Sequence, residues 1–224
     1  MSAAFVTSTG TGIGKTFLTA GLVRYFRSRM RAVDAYKPVI SGFDPAEAKA
    51  SDTGMILSAL GRPVTEEEID RISPWRFAAP LSPNMAAARE MREIDFQALV
   101  TFSRDCAASA DAVLIEGVGG IMVPLDDRHT VLDWMVEIRL PIVLVVGSYL
   151  GTLSHTLTAL DVLRRYGVGV KAIVVDETTD SSVPFEETVA TIIQFAQQTD
   201  VVALPRLEGV SRDHPAFADV GRRL

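Results

Sequence analysis

The sequence predicts an α/β fold: a mostly parallel β-sheet with helices on both faces. Three observations predict it. Short β-rich runs alternate with longer helical patterns along the whole chain. One run, PIVLVVGS at 141–148, is apolar throughout, as a strand buried on both faces should be. The first run passes through a glycine-rich loop, TSTGTGIGKT at 7–16, straight into a helical pattern.

The elements follow in order. AAFVTS at 3–8 reads as a strand. The stretch 15–30 reads as a helix, with Phe17, Leu18, Leu22, Val23 and Phe26 on helical spacing. AVDAYKPV at 32–39 is a second strand, stopped by Pro38. DAVLIEG at 111–117, the apolar run at 141–148, VKAIVVDE at 170–177 and VVALP at 201–205 complete the strands. Helices fill 95–108, 132–138, 153–166 and 186–198. There is no repeat, low-complexity tract or linker, so 1–224 is expected to form one domain. In such sheets ligands bind at the carboxyl ends of the strands, and chemistry is sought there.

Composition narrows the function classes. With 224 residues, 48% of them hydrophobic, the chain can bury one sizeable core. The net charge of −6 and a pI of about 5.1 argue against general nucleic-acid binding. One cysteine, Cys106, leaves no internal disulfide; that fits a reducing, cytoplasmic setting. No apolar run approaches a membrane span of ~20 residues, and the first strand begins too early to leave room for a signal peptide. His129, His155 and His214 lack metal-ligand spacing, and there is no Ser-His-Asp set. Catalysis by positioning and electrostatics suits this inventory.

The loop carries the chemistry and makes the fold P-loop NTPase-like. Gly10, Gly12 and Gly14 let successive backbone N–H groups turn inward to form an anion nest, and the next helix adds its dipole. Lys15 is placed for the outer phosphates of ATP (or another NTP) and Thr16 for Mg²⁺. Gly12, Ile13, Gly14 and Phe17 complete the nucleotide contacts. Lys37, in YKPVISG, ends the second strand at the same sheet edge, where it either points at the anion or is merely solvated. Asp52 in ASDT is either a helix cap or a metal ligand. Glu116 ends VLIE before GVGG, with Gly117, Val118 and Gly119 following; a carboxylate there should face the ligand edge. Thr16, Asp52 and Glu116 together offer the hard oxygens that Mg²⁺ prefers.

These residues carry a resemblance to the dethiobiotin synthetase family. The loop T-x-T-x-T-x-x-GKT resembles that family's extended loop, one residue longer than the standard pattern, so Thr9 is a family feature and Ser8 stands at the glycine position. Further matching segments are YKPVISG, SDT, APLSPN, IEGVGG, LPIVLVVGSYLGTLSHT and LPRL. The resemblance runs to Leu207 and implies ATP- and Mg²⁺-dependent closure of a cyclic urea from 7,8-diaminononanoate and CO₂, through a carbamate that ATP phosphorylates. It gives Lys15 and Lys37 catalytic roles, neutralising the repulsion between carbamate and triphosphate. It assigns Ser41 to the carbamate, Thr11 to the diamine, and the N–H groups of Gly151, Thr152 and Leu153 to the distal carboxylate. It also implies a homodimer, with 150–163 as the candidate contact.

Two departures touch the nucleobase end. The family commonly has Asn-Asp where this chain has Asp176 and Glu177, and Arg212 stands where a relative carries an acidic contact. Either Asp176 reads the base, or it caps the turn while Pro205, Arg206 and Leu207 read it. Rival readings are a partner-binding partitioning-type ATPase and a related P-loop amide ligase. The partitioning loop needs a lysine where this chain has Gly10, and the chain lacks a glutaminase-like half.

Overall fold

The computed structural model describes residues 2–207 and 214–224. In chain order the elements are β1 (Ser2–Ser8), α1 (Lys15–Ser28), β2 (Val33–Tyr36), β3 (Val39–Ser41), α2 (Asp52–Leu60), α3 (Glu66–Ile72), β4 (Trp75–Phe77), α4 (Pro83–Arg89) and α5 (Phe96–Ala107). There follow β5 (Ala112–Glu116), α6 (Val131–Ile138), β6 (Ile142–Gly147), α7 (Thr152–Arg165), β7 (Val170–Asp176), α8 (Phe185–Phe195), β8 (Asp200–Leu204) and α9 (Pro215–Gly221).

Six strands form one sheet in the order β2-β5-β1-β6-β7-β8. Every pairing in it is parallel. Every residue of β5 and β6 is buried, so helices must cover both faces. α1 packs against α2 and α9, α5 against α6, and α7 against α8. Trp134 of α6 is fully buried and meets Phe5 of β1 edge-on, ring centroids 4.8 Å apart. Its indole N–H donates to Ser103 Oγ at 3.0 Å, which satisfies the one polar atom it brings into the core.

The expected strand 32–39 is two strands. β2 leaves the main sheet at Tyr36, and after Lys37-Pro38 the chain runs into β3, which pairs with β4 in a separate two-stranded parallel sheet. Pro38 has no N–H to continue the ladder. Lys37 N instead donates to Ile72 O, and Trp75 N to Pro38 O. The expected helix 15–30 ends at Ser28, and Met30 takes a positive φ of 58°. α2 opens at Asp52, where a helix start was expected, whereas α3, α4, α9 and the small sheet were not among the expected elements. Most of them lie in the 41–94 stretch, where local pattern is weak and the elements pack on one another: α3 on α2, and α4 on β3 and β4.

A candidate nucleotide and carboxylate-lysine site

β1 lies between β5 and β6, so the segments after these strands converge at one end of the sheet. Ser8 aligns with Val145 and Val6 with Glu116. The loop after β1 ends at Gly14, whose φ of 79° is left-handed. Glycine is required there on two counts: the backbone conformation, and a side-chain carbon that would collide with the Asp176 carboxylate.

Above the loop lies a cavity of about 610 Å³. Thr11, Gly12, Ile13, Gly14, Lys15, Thr16, Phe17, Lys37, Ser41, Asp52, Val118 and Gly119 line it, all of them expected from the sequence. Ile40, Pro80, Leu81, Ser82, Pro83 and Val123 also line it and were not singled out. The segment APLSPN already marked four of these six positions. The apolar ones gain a role only once β3 and α4 are folded against the loop.

Glu116 is wholly buried beneath the cavity. Its Oε1 accepts from Thr16 Oγ1 at 2.7 Å and from Lys37 Nζ at 2.7 Å. Its Oε2 is buried with no hydrogen-bond partner. Lys37 Nζ also donates to Gly117 O at 2.9 Å and lies 3.2 Å from Asp52 Oδ2. Burial pulls the Lys37 ammonium down, but the carboxylates of Glu116 and Asp52 outweigh it and hold it above its ordinary range. Burial likewise pushes Asp52 up, and Lys37 more than reverses that. Lys37 is therefore a buried cation locked between two carboxylates, not a solvated lysine at a strand end. Asp52 opens α2, but the cap is Ser51, whose side chain accepts from Gly54 N. That leaves the half-exposed Asp52 carboxylate directed at Lys37 and the cavity.

Lys15 is buried as well. Its Nζ lies 3.0 Å from each of Ser8 Oγ, Gly10 O and Gly119 O. Burial, helped by the nearby Lys37 charge, pulls the Lys15 ammonium down to about 8, against the opposing pull of Glu116 and Asp52.

The donor set fits Mg²⁺. It offers one hydroxyl, one half-exposed carboxylate and a buried carboxylate oxygen without a partner. That is the small oxygen set this ion takes when phosphates and water fill the other positions.

Two expected groups do not line the cavity. Asp176 ends β7 against Gly14 and makes no side-chain hydrogen bond among the described residues. Burial pushes its carboxyl up to about 6; Arg206 pulls the other way, and Glu177 adds to the rise. The turn is tied by Glu177, whose Oε2 accepts from Arg206 N at 2.7 Å, beside Pro205 and Leu207. Arg212 lies outside the described residues. At the start of α7, Gly151 has a φ of 99°, Thr152 is buried with its hydroxyl on Gly147 O, and Leu153 is 37% exposed. None of these three lines the cavity of the same chain.

Comparison with known proteins gives the family. The AAA domain family model matches residues 2–214. The ATP-dependent dethiobiotin synthetase BioD of Acidiphilium cryptum is 45% identical over 201 residues, covering 89% of this chain and 90% of the relative. That of Methylobacterium nodulans is 48% identical over 200 residues, covering 86% and 88%. Among solved structures, the septum site-determining protein MinD of Pyrococcus horikoshii, complexed with Mg-ADP, superposes with a TM-score of 0.61 at 16% identity. The match covers 98% of this chain and 94% of that one, and it shows the shared fold. At 45% and 48% identity to these synthetases over about nine-tenths of its length, the chain belongs to the ATP-dependent dethiobiotin synthetase family.

Proposed function

We propose that this protein is an ATP-dependent dethiobiotin synthetase that closes a ureido ring on 7,8-diaminononanoate with CO₂, as one domain within a homodimer. One observation carries the reading. Lys37 is locked between Glu116 and Asp52 at the floor of a cavity that also holds the phosphate-binding loop. A carbamate and a triphosphate repel each other, and buried cations fixed beforehand lower that repulsion as charge moves during transfer.

One amine of the substrate attacks the CO₂ carbon and loses a proton, giving a carbamate. A carbamate oxygen attacks the γ-phosphorus of ATP, and ADP leaves. The second amine attacks the carbamoyl carbon and loses a proton, the C–O bond to phosphate breaks, and inorganic phosphate departs as the ring closes. Lys37 and Ser41 hold the carbamate, Thr11 orients the diamine, and Lys15 meets the outer phosphates. Ile40, Pro80, Leu81 and Val123 give the alkyl chain an apolar wall and keep water from the carbamate. Thr16, Asp52 and Glu116 would hold Mg²⁺, which supplies charge neutralisation at the phosphate oxygens when bound.

The second subunit would bring the N-terminus of α7 to the substrate's carboxylate. Support comes from its exposed surface: Leu150 is 83% exposed, and Leu153 is also exposed.

The test is ADP release with diamine and bicarbonate omitted in turn, with mass spectrometry of the product. Turnover that needs both, and a cyclic urea, is the expected result. Turnover indifferent to the diamine would reject the reading and favour a partner-stimulated ATPase.

A further inference from the structure

We propose that Ser8 is a positioning residue that holds the Lys15 ammonium back from the nucleotide phosphates, so that phosphate binding must break a Ser8–Lys15 contact. The inference rests on the nucleotide reading of the loop given above. An ammonium has three N–H donors. Lys15 Nζ has three oxygens at 3.0 Å: Ser8 Oγ, Gly10 O and Gly119 O. Every donor is thus used within the protein, and none is left for a phosphate entering the cavity.

Two of the acceptors are main-chain carbonyls, which any residue at those positions would supply. The third is a side chain, and it belongs to Ser8. Ser8 is wholly buried, and its hydroxyl is itself held in place. It lies 2.5 Å from Gly10 O and 3.1 Å from Gly119 O, and accepts from Gly10 N at 3.3 Å. Its single hydrogen goes to the nearer carbonyl, Gly10 O, which leaves its lone pairs to Gly10 N and Lys15. The hydroxyl therefore joins β1, the loop and the segment after β5 around one cation. Without the hydroxyl, Lys15 keeps a buried donor with no partner, and that cost falls on the nucleotide-free state. Phosphate then binds to a lysine already partly released.

The experiment is calorimetric titration of ATP, ADP and AMP, with Mg²⁺, into the parent, Ser8→Ala, Lys15→Ala and the double variant. Ser8→Ala is expected to bind ATP and ADP about three- to tenfold more tightly, the share of one charged hydrogen bond that the bound state does not regain. AMP has no outer phosphate for Lys15, so its affinity should not change. The gain should vanish in the Lys15→Ala background, since the effect runs through the lysine. A purely structural role for Ser8 would move all three nucleotides together and survive the loss of Lys15. That result, or ATP affinity equal to or weaker than the parent's, overturns the proposal. Ser8→Gly, read in the same way, serves if the alanine variant does not fold. A parent that binds no ATP at all would instead reject the nucleotide reading itself.

Discussion

At the residue scale, Lys37 shows how burial changes what a lysine does. In water its charge would be screened and mobile. Here it is almost fully buried, 2.7 Å from Glu116 and 3.2 Å from Asp52. Lys37→Ala leaves the buried Glu116 and the half-exposed Asp52 without their cation, and it removes the charge proposed to face the carbamate. The expected loss in kcat is ~10²–10³-fold with the fold retained, as for other single fixed donors. A variant within about threefold of the parent would be far short of that range and would contradict the role. Asp176 makes the opposite case, a carboxyl placed where charge is unfavourable. Its folded value of about 6 lies above the ordinary 3.8. The folded state therefore holds the proton longer, so the group's favourable contribution is complete below the ordinary value. It is lost as pH rises through about 6, where the ionised form becomes a burden. Asp176→Asn should stabilise the protein by about 1–2 kcal/mol at neutral pH, allowing for the side chain's partial exposure. In urea denaturation that gain should disappear below the ordinary carboxylate range, and a gain independent of pH would show that charge is not its source. The same variant tests base reading. An ionised carboxylate offers acceptors only, whereas an amide offers a donor and an acceptor. If Asp176 meets the base, Asp176→Asn should move kcat/KM toward ATP over GTP and CTP by about one to two orders of magnitude.

At the element scale, α1 depends on close approach by α9. A side-chain carbon at Gly21 would collide with the Phe217 ring, and one at Gly221 with the Tyr25 ring. The two helices thus each supply a glycine to the other's aromatic residue. Alanine at position 21 gains helix propensity but overpacks this contact. Gly21→Ala should therefore destabilise the protein by about 1–3 kcal/mol in denaturant titration, with kcat unchanged. Pairing it with Phe217→Leu should recover part of the loss. A neutral or stabilising Gly21→Ala would mean that α9 moves freely relative to α1.

At the scale of the whole molecule, the expected contact segment 150–163 divides in two. Thr152, Thr156, Ala159, Leu160 and Leu163 of α7 are buried within their own chain. Leu150, Leu153 and the neighbouring His155 remain on the surface, with the His155 ring bonded to the Tyr149 hydroxyl at 2.8 Å. The contact proposed between two copies is therefore the start of α7, not its length. Light scattering at micromolar concentration should give the mass of a dimer. Leu150→Glu should give a folded monomer with activity reduced about tenfold or more, because the partner's part of the substrate site is misplaced. A monomeric parent with full activity would remove the dimer from the mechanism.

The strands of the main sheet, the loop and the family are legible in the residues alone. Strands such as 141–148 and 111–117 declare themselves because burial on both faces demands continuous apolar residues. The GKT loop declares itself because an anion nest needs glycines and a lysine within a few consecutive positions. Those are local requirements, so local sequence records them. The rest depends on contacts between segments far apart in the chain. Nothing near Lys37 in sequence shows that it is buried between Glu116 and Asp52, since those partners lie 79 and 15 positions away. Nothing around Thr9 or Ser8 shows that the Lys15 ammonium has all its donors used. The diversion at Pro38 into a second sheet, the apolar wall of Ile40, Pro80, Leu81 and Val123, and the tying of the turn by Glu177 all depend on distant segments meeting in space. Electrostatic and packing energies fall with distance in space, and the chain brings together in space what it keeps far apart in sequence.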